Sequence, residues 1–155
     1  MQPSVFMQQA IDAAVQNVRD GGGPFGAVIV RNGELIAVGV NRVTATNDPT
    51  AHAEVVAIRE ACSMLSTFDL AGCEIYTSCE PCPMCLGAIY WARLDRVYFG
   101  ATSADAAAAQ FDDGLIYDEL KLPHPERKIS MLELMRDEAQ APFREWQRTA
   151  GRTPY

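Results

Sequence analysis

The chain has 155 residues, of which 48% are hydrophobic and 21% are charged, and this globular composition excludes a disordered chain. Its formal net charge of −7 argues against nucleic-acid or anionic-membrane binding, because both depend on clustered lysine and arginine side chains. The five cysteines are an odd number and three of them lie within seven residues, so we expect a reduced, cytoplasmic protein without a disulfide framework.

The first forty residues predict a helix followed by a β-hairpin. Apolar residues recur at helical spacing after Ser4, a predicted N-cap, and Gly21 is the predicted stop. Segments 27–30 and 35–40 are rich in strand-forming residues, and the Asn-Gly pair at 32–33 between them is a strong hairpin signal. We therefore expect the sheet to begin with an antiparallel pair of strands.

A second helix is predicted after a polar loop over residues 44–50, with Asp48 or Thr50 as its cap, and it runs to about residue 65. The predicted core stripe of this helix consists of Val55, Ile58, Cys62 and Leu65. This arrangement leaves His52 and Glu54 at the N-terminal tip of the helix.

The next segment predicts a strand, a helix and a second strand, which at this spacing form a parallel crossover unit. The strands are expected over 73–77 and 96–99, with the helix between them reaching about residue 93. Later elements are expected as an alanine-rich helix over 104–110, a short helix after residue 114, a fifth strand over 129–134 and a closing helix over 142–149.

These elements predict one α/β domain over residues 1–155, built on a mixed five-stranded sheet that is covered on both faces. The antiparallel hairpin starts the sheet, and parallel crossovers continue it. The longest apolar runs are too short to span a membrane, and the N-terminus lacks the basic region of a secretory signal.

Two short motifs at predicted helix starts carry metal-binding side chains. His52 and Glu54 belong to the first, and Cys82 and Cys85 follow Pro81 in the second. Residues three apart on a helix lie within about 60° of each other, so both sulfurs point the same way, and the helix N-terminus favours their thiolates. With His52 as third ligand, the set leaves one position of a zinc tetrahedron for water, as in catalytic sites.

Together the two motifs resemble the signature of zinc-dependent nucleobase deaminases. In that chemistry Glu54 takes a proton from the attacking water and passes a proton to the ring and then to the departing amine. A CxxC motif alone is also a redox pair or half of a structural site. The main alternative adds Cys79 as a fourth ligand, which closes the site against water. Because Cys79 lies on the strand side of Pro81, we favour a packing role for it.

Longer stretches resemble bacterial guanine deaminases of the zinc-dependent cytidine and deoxycytidylate deaminase superfamily. These stretches are residues 24–28, 47–55, 79–93 and 111–113, and the aromatic C-terminus extends the similarity across nearly the whole chain. The cores of the two motifs are shared with tRNA adenosine deaminases and cytosine deaminases. The cores therefore do not indicate which base is the substrate. Trp91, Asp113 and the aromatic tail are the features that favour guanine.

The resemblance implies a three-layer α/β/α cytidine-deaminase-like fold, one Zn²⁺ per subunit and hydrolysis of guanine to xanthine and ammonia. By the same resemblance, Phe25 and Trp91 line the purine base, and Asn41 and Ala53 hydrogen-bond to it. Asp113 is expected to contact the polar edge of the base and to help to move protons.

The resemblance further implies a homodimer in which the helix and tail at 142–155 exchange between subunits, so that Tyr155 closes the partner's site. Two other functions use the same motifs. One is a guanosine or tRNA-adenosine deaminase with the same zinc chemistry. The other is a zinc-stabilised assembly protein without turnover, in which loss of the Glu54 carboxylate changes nothing but stability.

Overall fold

The computed structural model of the protein describes residues 2–155, which form two compact units. The first unit ends at Asp113, and the second spans Gly114–Tyr155. Within the described chain, no helix combines the length and the apolar character that crossing a membrane requires.

The helices and strands of the first unit alternate along the chain. They are α1 (Pro3–Arg19), β1 (Gly26–Arg31), β2 (Glu34–Val40), α2 (Val43–Thr46), α3 (Ala53–Leu65), β3 (Cys73–Cys79), α4 (Pro83–Trp91), β4 (Arg96–Ala101) and α5 (Ser103–Ala108). The second unit contains α6 (Gly114–Leu120), two 3-10 helices (His124–Glu126 and Glu138–Gln140) and α7 (Ala141–Arg148). The predicted α/β class is confirmed, and the unpredicted α2 overlaps the first half of the expected polar loop.

Local signals account closely for the first helix and the hairpin. Pro3 occupies the first turn of α1, where its missing N–H and its fixed φ suit a helix start, and Gln2 is the N-cap. Ser4 therefore lies inside the helix, and its prediction as the cap is wrong. Asn32 and Gly33 have φ values of 52° and 77°, as the tight turn between antiparallel strands requires.

The sheet has four strands in the order β2-β1-β3-β4. β1 is antiparallel to both of its neighbours, and Ala27 pairs with Gly39 of β2 on one side and with Thr77 of β3 on the other. β3 and β4 are parallel and are connected through α4. The antiparallel start and the parallel crossover are confirmed, whereas the prediction of five strands is wrong.

The segment 129–134, predicted as the fifth strand, forms neither strand nor helix. Its alternating apolar side chains suggested a strand, but a strand also needs a neighbouring backbone with which to pair. The chain leading into the segment is held by side chains instead. Arg127 Nε donates to the carbonyl oxygens of Glu119 and Leu122, and the Lys128 N–H donates to the Glu119 carboxylate.

Alternate residues of β1 enter two separate apolar clusters. Ala27 and Ile29 pack with buried residues of α3 and α4. Val28 and Val30 pack with buried residues of α1. Because successive side chains of a strand point to opposite faces, helices cover both faces of the sheet at β1.

Strand direction gathers several chain segments at one edge of the sheet. β2, β3 and β4 all run opposite to β1. Their carboxyl ends therefore meet at the edge where β1 begins, and such an edge is where open α/β sheets usually bind ligands. The connections into α3, α4 and α5 leave from this edge, and Phe25 precedes β1 at the same edge.

α3 contacts the sheet through alanines rather than through the predicted stripe. Ala53, Ala57 and Ala61 are completely buried, and their spacing of four places them on one face of the helix. The residues of the predicted stripe are only partly buried beside this face, and they are Val55, Ile58, Cys62 and Leu65. The predicted stripe is correct in part, because Ile58, Cys62 and Leu65 pack against the core. The face nearest the sheet carries alanines instead, because the helix lies too close to the sheet for larger side chains.

Gly39 of β2 sets this close approach, and we expect Gly39→Ala to displace α3. A Cβ at this position would collide with the Ala53 carbonyl oxygen and would lie 2.9 Å from Ala57 Cα. Both are backbone atoms, so the helix must move, at a cost of about 1–3 kcal/mol. Denaturant unfolding should show the lower stability, and activity should fall because α3 carries His52 and Glu54.

Gly87→Ala on α4 is the matched control for this substitution. An added Cβ there meets nothing within 4 Å, and alanine favours a helix over glycine by about 0.5–1 kcal/mol. We expect Gly87→Ala to leave stability unchanged or to raise it. Equal stabilities of the two variants would contradict the role given to Gly39.

Candidate active site

His52 is held at the start of α3 by a turn in the preceding loop. The Asp48 carboxylate accepts hydrogen bonds from the Thr50 backbone N–H and hydroxyl at 2.9 and 2.7 Å, which closes the turn. The chain remains extended at His52, which is the N-cap, and the helix begins at Ala53. The predictions of Asp48 or Thr50 as the cap are therefore wrong. The imidazole makes no capping hydrogen bond and lies against the cysteines.

The two cysteines are placed by the first turn of α4. Cys82 is the N-cap, and Pro83 follows in the first turn, where proline is well tolerated. The Cys82 sulfur accepts a hydrogen bond from the Cys85 backbone N–H at 3.5 Å. Cys85 is completely buried and Cys82 is half-buried. This turn holds both sulfurs on one side, as their spacing predicts.

The three predicted ligands, His52, Cys82 and Cys85, come together. His52 Nδ1 lies 3.5 Å from Cys82 Sγ and 3.4 Å from Cys85 Sγ, and the three ligand atoms lie within 4.8 Å of one another. Zinc bonds of about 2.3 Å to sulfur and about 2.0–2.1 Å to nitrogen place two ligands of a tetrahedron about 3.6 Å apart. The measured spacings match this value, so the donor set fits a zinc ion with three protein ligands.

Hydrogen bonding among the ligands already favours thiolate. The Cys85 thiol donates to the Cys82 sulfur, and this bond, together with the His52 ring, holds the pKa of Cys82 well below its usual range. The same shared proton raises the pKa of Cys85. Contact with Cys82 also raises the pKa of His52. Cysteine binds a metal ion as the thiolate, so metal binding at this site would release protons.

Glu54 lies in the first turn of α3, and only 6% of its surface is exposed. Its Oε1 accepts a hydrogen bond from the Thr77 hydroxyl at 3.1 Å. Burial raises the pKa of Glu54, while hydrogen bonds from its own backbone, Cys85 and Thr77 act in the opposite direction. A buried carboxylate with a raised pKa beside metal ligands is suited to general acid–base catalysis near neutral pH.

Cys79 lies outside the group of three ligands that the described residues form. It ends β3, is buried, and its thiol donates to the Thr102 carbonyl oxygen at 3.7 Å. Burial, followed by the negative charge of Glu54, raises the pKa of Cys79 to about 11. The packing role predicted for Cys79 agrees with these contacts.

Three of the residues assigned to the base lie at the sheet edge from which the ligand helices leave. Phe25 is half-buried, and its ring makes an edge-on contact with Phe111, with 5.0 Å between ring centroids. The Asn41 N–H donates to the Phe25 carbonyl oxygen at 3.2 Å, and Asn41 Oδ1 accepts from the Val43 N–H at 3.1 Å. Ala53, completely buried, follows His52 directly.

The other three assigned residues differ in position. Asp113 is half-buried, and its pKa is raised by burial and then by the charge of Cys82. Trp91 ends α4, opposite to the cysteines, and 69% of its surface is exposed. Tyr155 ends the second unit with 74% of its surface exposed. The contacts with the base assigned to all six residues stay predictions.

Sequence analysis missed two residues that hold the site, Thr77 and Glu80. Thr77 reaches Glu54 across 23 residues of sequence. The Glu80 carboxylate accepts hydrogen bonds from the Ser103 N–H and hydroxyl at 2.8 and 2.7 Å, which ties the cysteine turn to the start of α5. Both residues were missed because long-range hydrogen bonds leave no local pattern in the sequence. The one signal that could have found them is that both lie close to the cysteine motif.

Comparisons with known proteins add to this geometry. Residues 1–101 match the family model of the cytidine and deoxycytidylate deaminase zinc-binding region. The chain is 51% identical to the guanine deaminase of Bacillus subtilis strain 168 over 156 residues, which covers 100% of both proteins. An X-ray structure of guanine deaminase from Bacillus subtilis matches with a TM-score of 0.98, covering 100% of this chain and 99% of that chain at 51% identity.

A second group of relatives matches a smaller part of the chain. The tRNA-specific adenosine deaminase of Aquifex aeolicus strain VF5 is 45% identical over 96 residues, or 62% of this chain and 64% of that protein. Similarity to the Aquifex protein therefore covers 62% of the chain, whereas similarity to the Bacillus protein extends over the full length.

Proposed function

The chain belongs to the cytidine and deoxycytidylate deaminase zinc-binding family, and from this premise we propose that it is a guanine deaminase, which hydrolyses guanine to xanthine and ammonia. The observation that carries the choice of base is the 51% identity to a guanine deaminase over 100% of both proteins. The site supports the reaction class, because a buried carboxylate lies beside a three-ligand zinc site.

The three metal ligands and Glu54 have different roles in this reaction. His52, Cys82 and Cys85 hold one zinc ion per subunit. When bound, zinc lowers the pKa of the attacking water towards neutrality. As the oxygen of that water bonds to C2 of guanine, Glu54 takes a proton from the water. Glu54 then delivers this proton to a ring nitrogen. Glu54 then passes the second water proton to the 2-amino group, which leaves as ammonia.

The base is held by residues at the sheet edge. Phe25, fixed by its neighbour Phe111, presents an aromatic surface to the purine. Asn41 hydrogen-bonds to the base through its amide and Ala53 through its backbone, while Asp113 contacts the polar edge and assists proton movement. Their positions around the ligand helices support this assignment.

A substrate panel tests the choice of base. We expect the purified zinc enzyme to release ammonia from guanine much faster than from guanosine, adenine or cytosine, and not to convert adenosine to inosine in tRNA. The formal net charge of −7 supports the exclusion of tRNA, because nucleic-acid binding depends on clustered positive charge. Guanine turnover no faster than guanosine turnover would overturn the choice.

The exposed apolar side chains of the second unit support the proposal of a homodimer with segment exchange. Large apolar side chains of Gly114–Tyr155 are exposed, and they include Ile129, Leu132, Leu134, Phe143 and Tyr155. By contrast, the described apolar residues that are buried all lie between Phe6 and Ala92. Exposed apolar surface of this kind marks an interaction site, and we assign it to a second copy of the chain, whose site Tyr155 closes.

We assign the whole chain to one functional domain of the three-layer α/β/α type and place it in the cytoplasm. The layering is supported by the two apolar clusters that pack helices against opposite faces of the sheet. The five cysteines form no disulfide with one another, which is usual in a reducing compartment and supports this assignment.

Deletion of residues 151–155 tests whether the C-terminal tail acts as a lid, that is, whether Tyr155 closes the partner's site. We expect guanine turnover to fall at least tenfold while zinc content stays near that of the full chain, because the metal ligands lie elsewhere. Ammonia release and metal analysis on the same sample measure both quantities. A Phe68→Ala variant, which removes an exposed aromatic ring of the first unit, serves as the control. Full activity after the deletion would overturn the lid.

A further inference from the structure

Thr77 is a completely enclosed polar residue in the middle of the fold. It lies on β3, an interior strand of the sheet, and only 1% of its surface is exposed. Its neighbours in the sheet are Ala27 of β1 and Phe99 of β4. Backbone pairing on both sides therefore fixes where the Thr77 hydroxyl lies.

We propose that Thr77 is a positioning residue for Glu54, holding one carboxylate oxygen so that the other is presented to the water and the substrate. The Thr77 hydroxyl lies 3.1 Å from Glu54 Oε1. It also lies 3.0 Å from the Cys79 carbonyl oxygen. This inference rests on the proposed function, in which Glu54 transfers the protons.

A single hydroxyl hydrogen serves two acceptors at this point. A threonine hydroxyl donates one hydrogen bond at a time, and hydrogen bonds to a carboxylate are shorter and stronger than those to a neutral carbonyl. Glu54 Oε1 and the Cys79 carbonyl oxygen lie at nearly equal distances from the hydroxyl, 3.1 and 3.0 Å, so the carboxylate competes for the hydrogen as the stronger acceptor whenever it is ionised. The bond joins the first turn of α3 to the interior strand of the sheet and restricts rotation of the Glu54 side chain.

Satisfying a buried hydroxyl does not require Glu54, because the Cys79 carbonyl alone would accept the hydrogen. A purely structural Thr77 would therefore affect stability but not the rate per folded, zinc-loaded enzyme. A positioning Thr77 affects kcat, because a loosely held carboxylate meets the reacting atoms less often. The two roles separate when kcat, KM, zinc content and melting temperature are measured on the same preparations.

Thr77→Val replaces the hydroxyl with a methyl group, and Thr77→Ser keeps the hydroxyl. With guanine as substrate we expect Thr77→Val to lower kcat about 10- to 100-fold at unchanged KM and zinc content, as for other residues that orient a group in a metal site. Thr77→Ser should recover most of this loss. Ser78→Ala is the matched control on β3, since Ser78 accepts a hydrogen bond from the Gly26 N–H instead.

Should Thr77→Val fail to fold, the pair Thr77→Ala and Thr77→Ser gives the same comparison, since the two differ by one oxygen atom. A hydroxyl-free variant that keeps the wild-type kcat, even with a lower melting temperature, would overturn the positioning role. Failure of the proposed function looks different, since the wild-type enzyme itself would leave guanine intact. The comparison would then use whichever substrate of the panel is turned over, and turnover of none would overturn both.

Discussion

Glu54→Ala should abolish guanine turnover while the protein keeps its fold and its zinc. General acid–base catalysis by a positioned side chain contributes about 10²- to 10⁴-fold, and Glu54 is the main proton carrier with Asp113 assisting, so we expect a loss at the upper end of this range. Zinc should stay bound because His52, Cys82 and Cys85 form the ligand group without Glu54. Ammonia release and metal content per subunit measure the two effects.

Two further variants sharpen this test. Glu54→Gln keeps the shape of the side chain but cannot carry the proton, so it should be as inactive as Glu54→Ala. Glu60→Ala removes an exposed carboxylate from the same helix and should leave turnover unchanged. Substantial activity of Glu54→Ala would refute the assigned role. Loss of stability alone, in a chain that turns over no base, would favour the zinc-stabilised assembly protein.

Cys82→Ser should remove the zinc and the activity together, whereas Cys79→Ser should keep both. A serine hydroxyl does not replace a thiolate ligand, and the other two ligands alone hold the ion weakly. Cys79 makes a hydrogen bond to the Thr102 carbonyl oxygen, which serine can also form. Metal analysis after dialysis against a chelator, followed by a guanine assay, measures both effects.

The paired cysteine variants also decide between an open and a closed metal site. If Cys79→Ser lost zinc as completely as Cys82→Ser, then Cys79 would be a fourth ligand and no position would remain for water. His52→Ala should behave like Cys82→Ser. Returning zinc to wild-type enzyme stripped by the chelator should restore turnover, whereas neither ligand variant should recover.

Local signals in the sequence predicted most elements of the first unit. The Asn-Gly turn, the strand-helix-strand order around the cysteines and the helix after the polar loop all depend on near neighbours in the chain, and all are present. The errors arose where distant parts of the fold decide. The alanine face of α3 depends on Gly39 of a neighbouring strand, and segment 129–134 has strand-like side chains but no partner strand.

The metal ligands could be predicted because their chemistry is confined to two motifs, each at a helix start. Their assembly follows from strand direction, which brings both helix starts to one edge of the sheet. Thr77 could not be predicted in the same way, because its hydrogen bond to Glu54 depends on the distance between a helix and a strand. The contacts predicted for Trp91 and Tyr155 come from the resemblance to guanine deaminases and stay predictions.

The separation of the metal ligands along the chain also has a kinetic consequence. His52 and Cys82 are 30 residues apart, so an ion between them closes a loop that contains α3 and β3. Zinc that binds the folded chain and not the unfolded chain stabilises the fold by mass action. Contacts between such distant segments are typically made late in folding. Zinc should therefore lower the unfolding rate and leave the folding rate little changed.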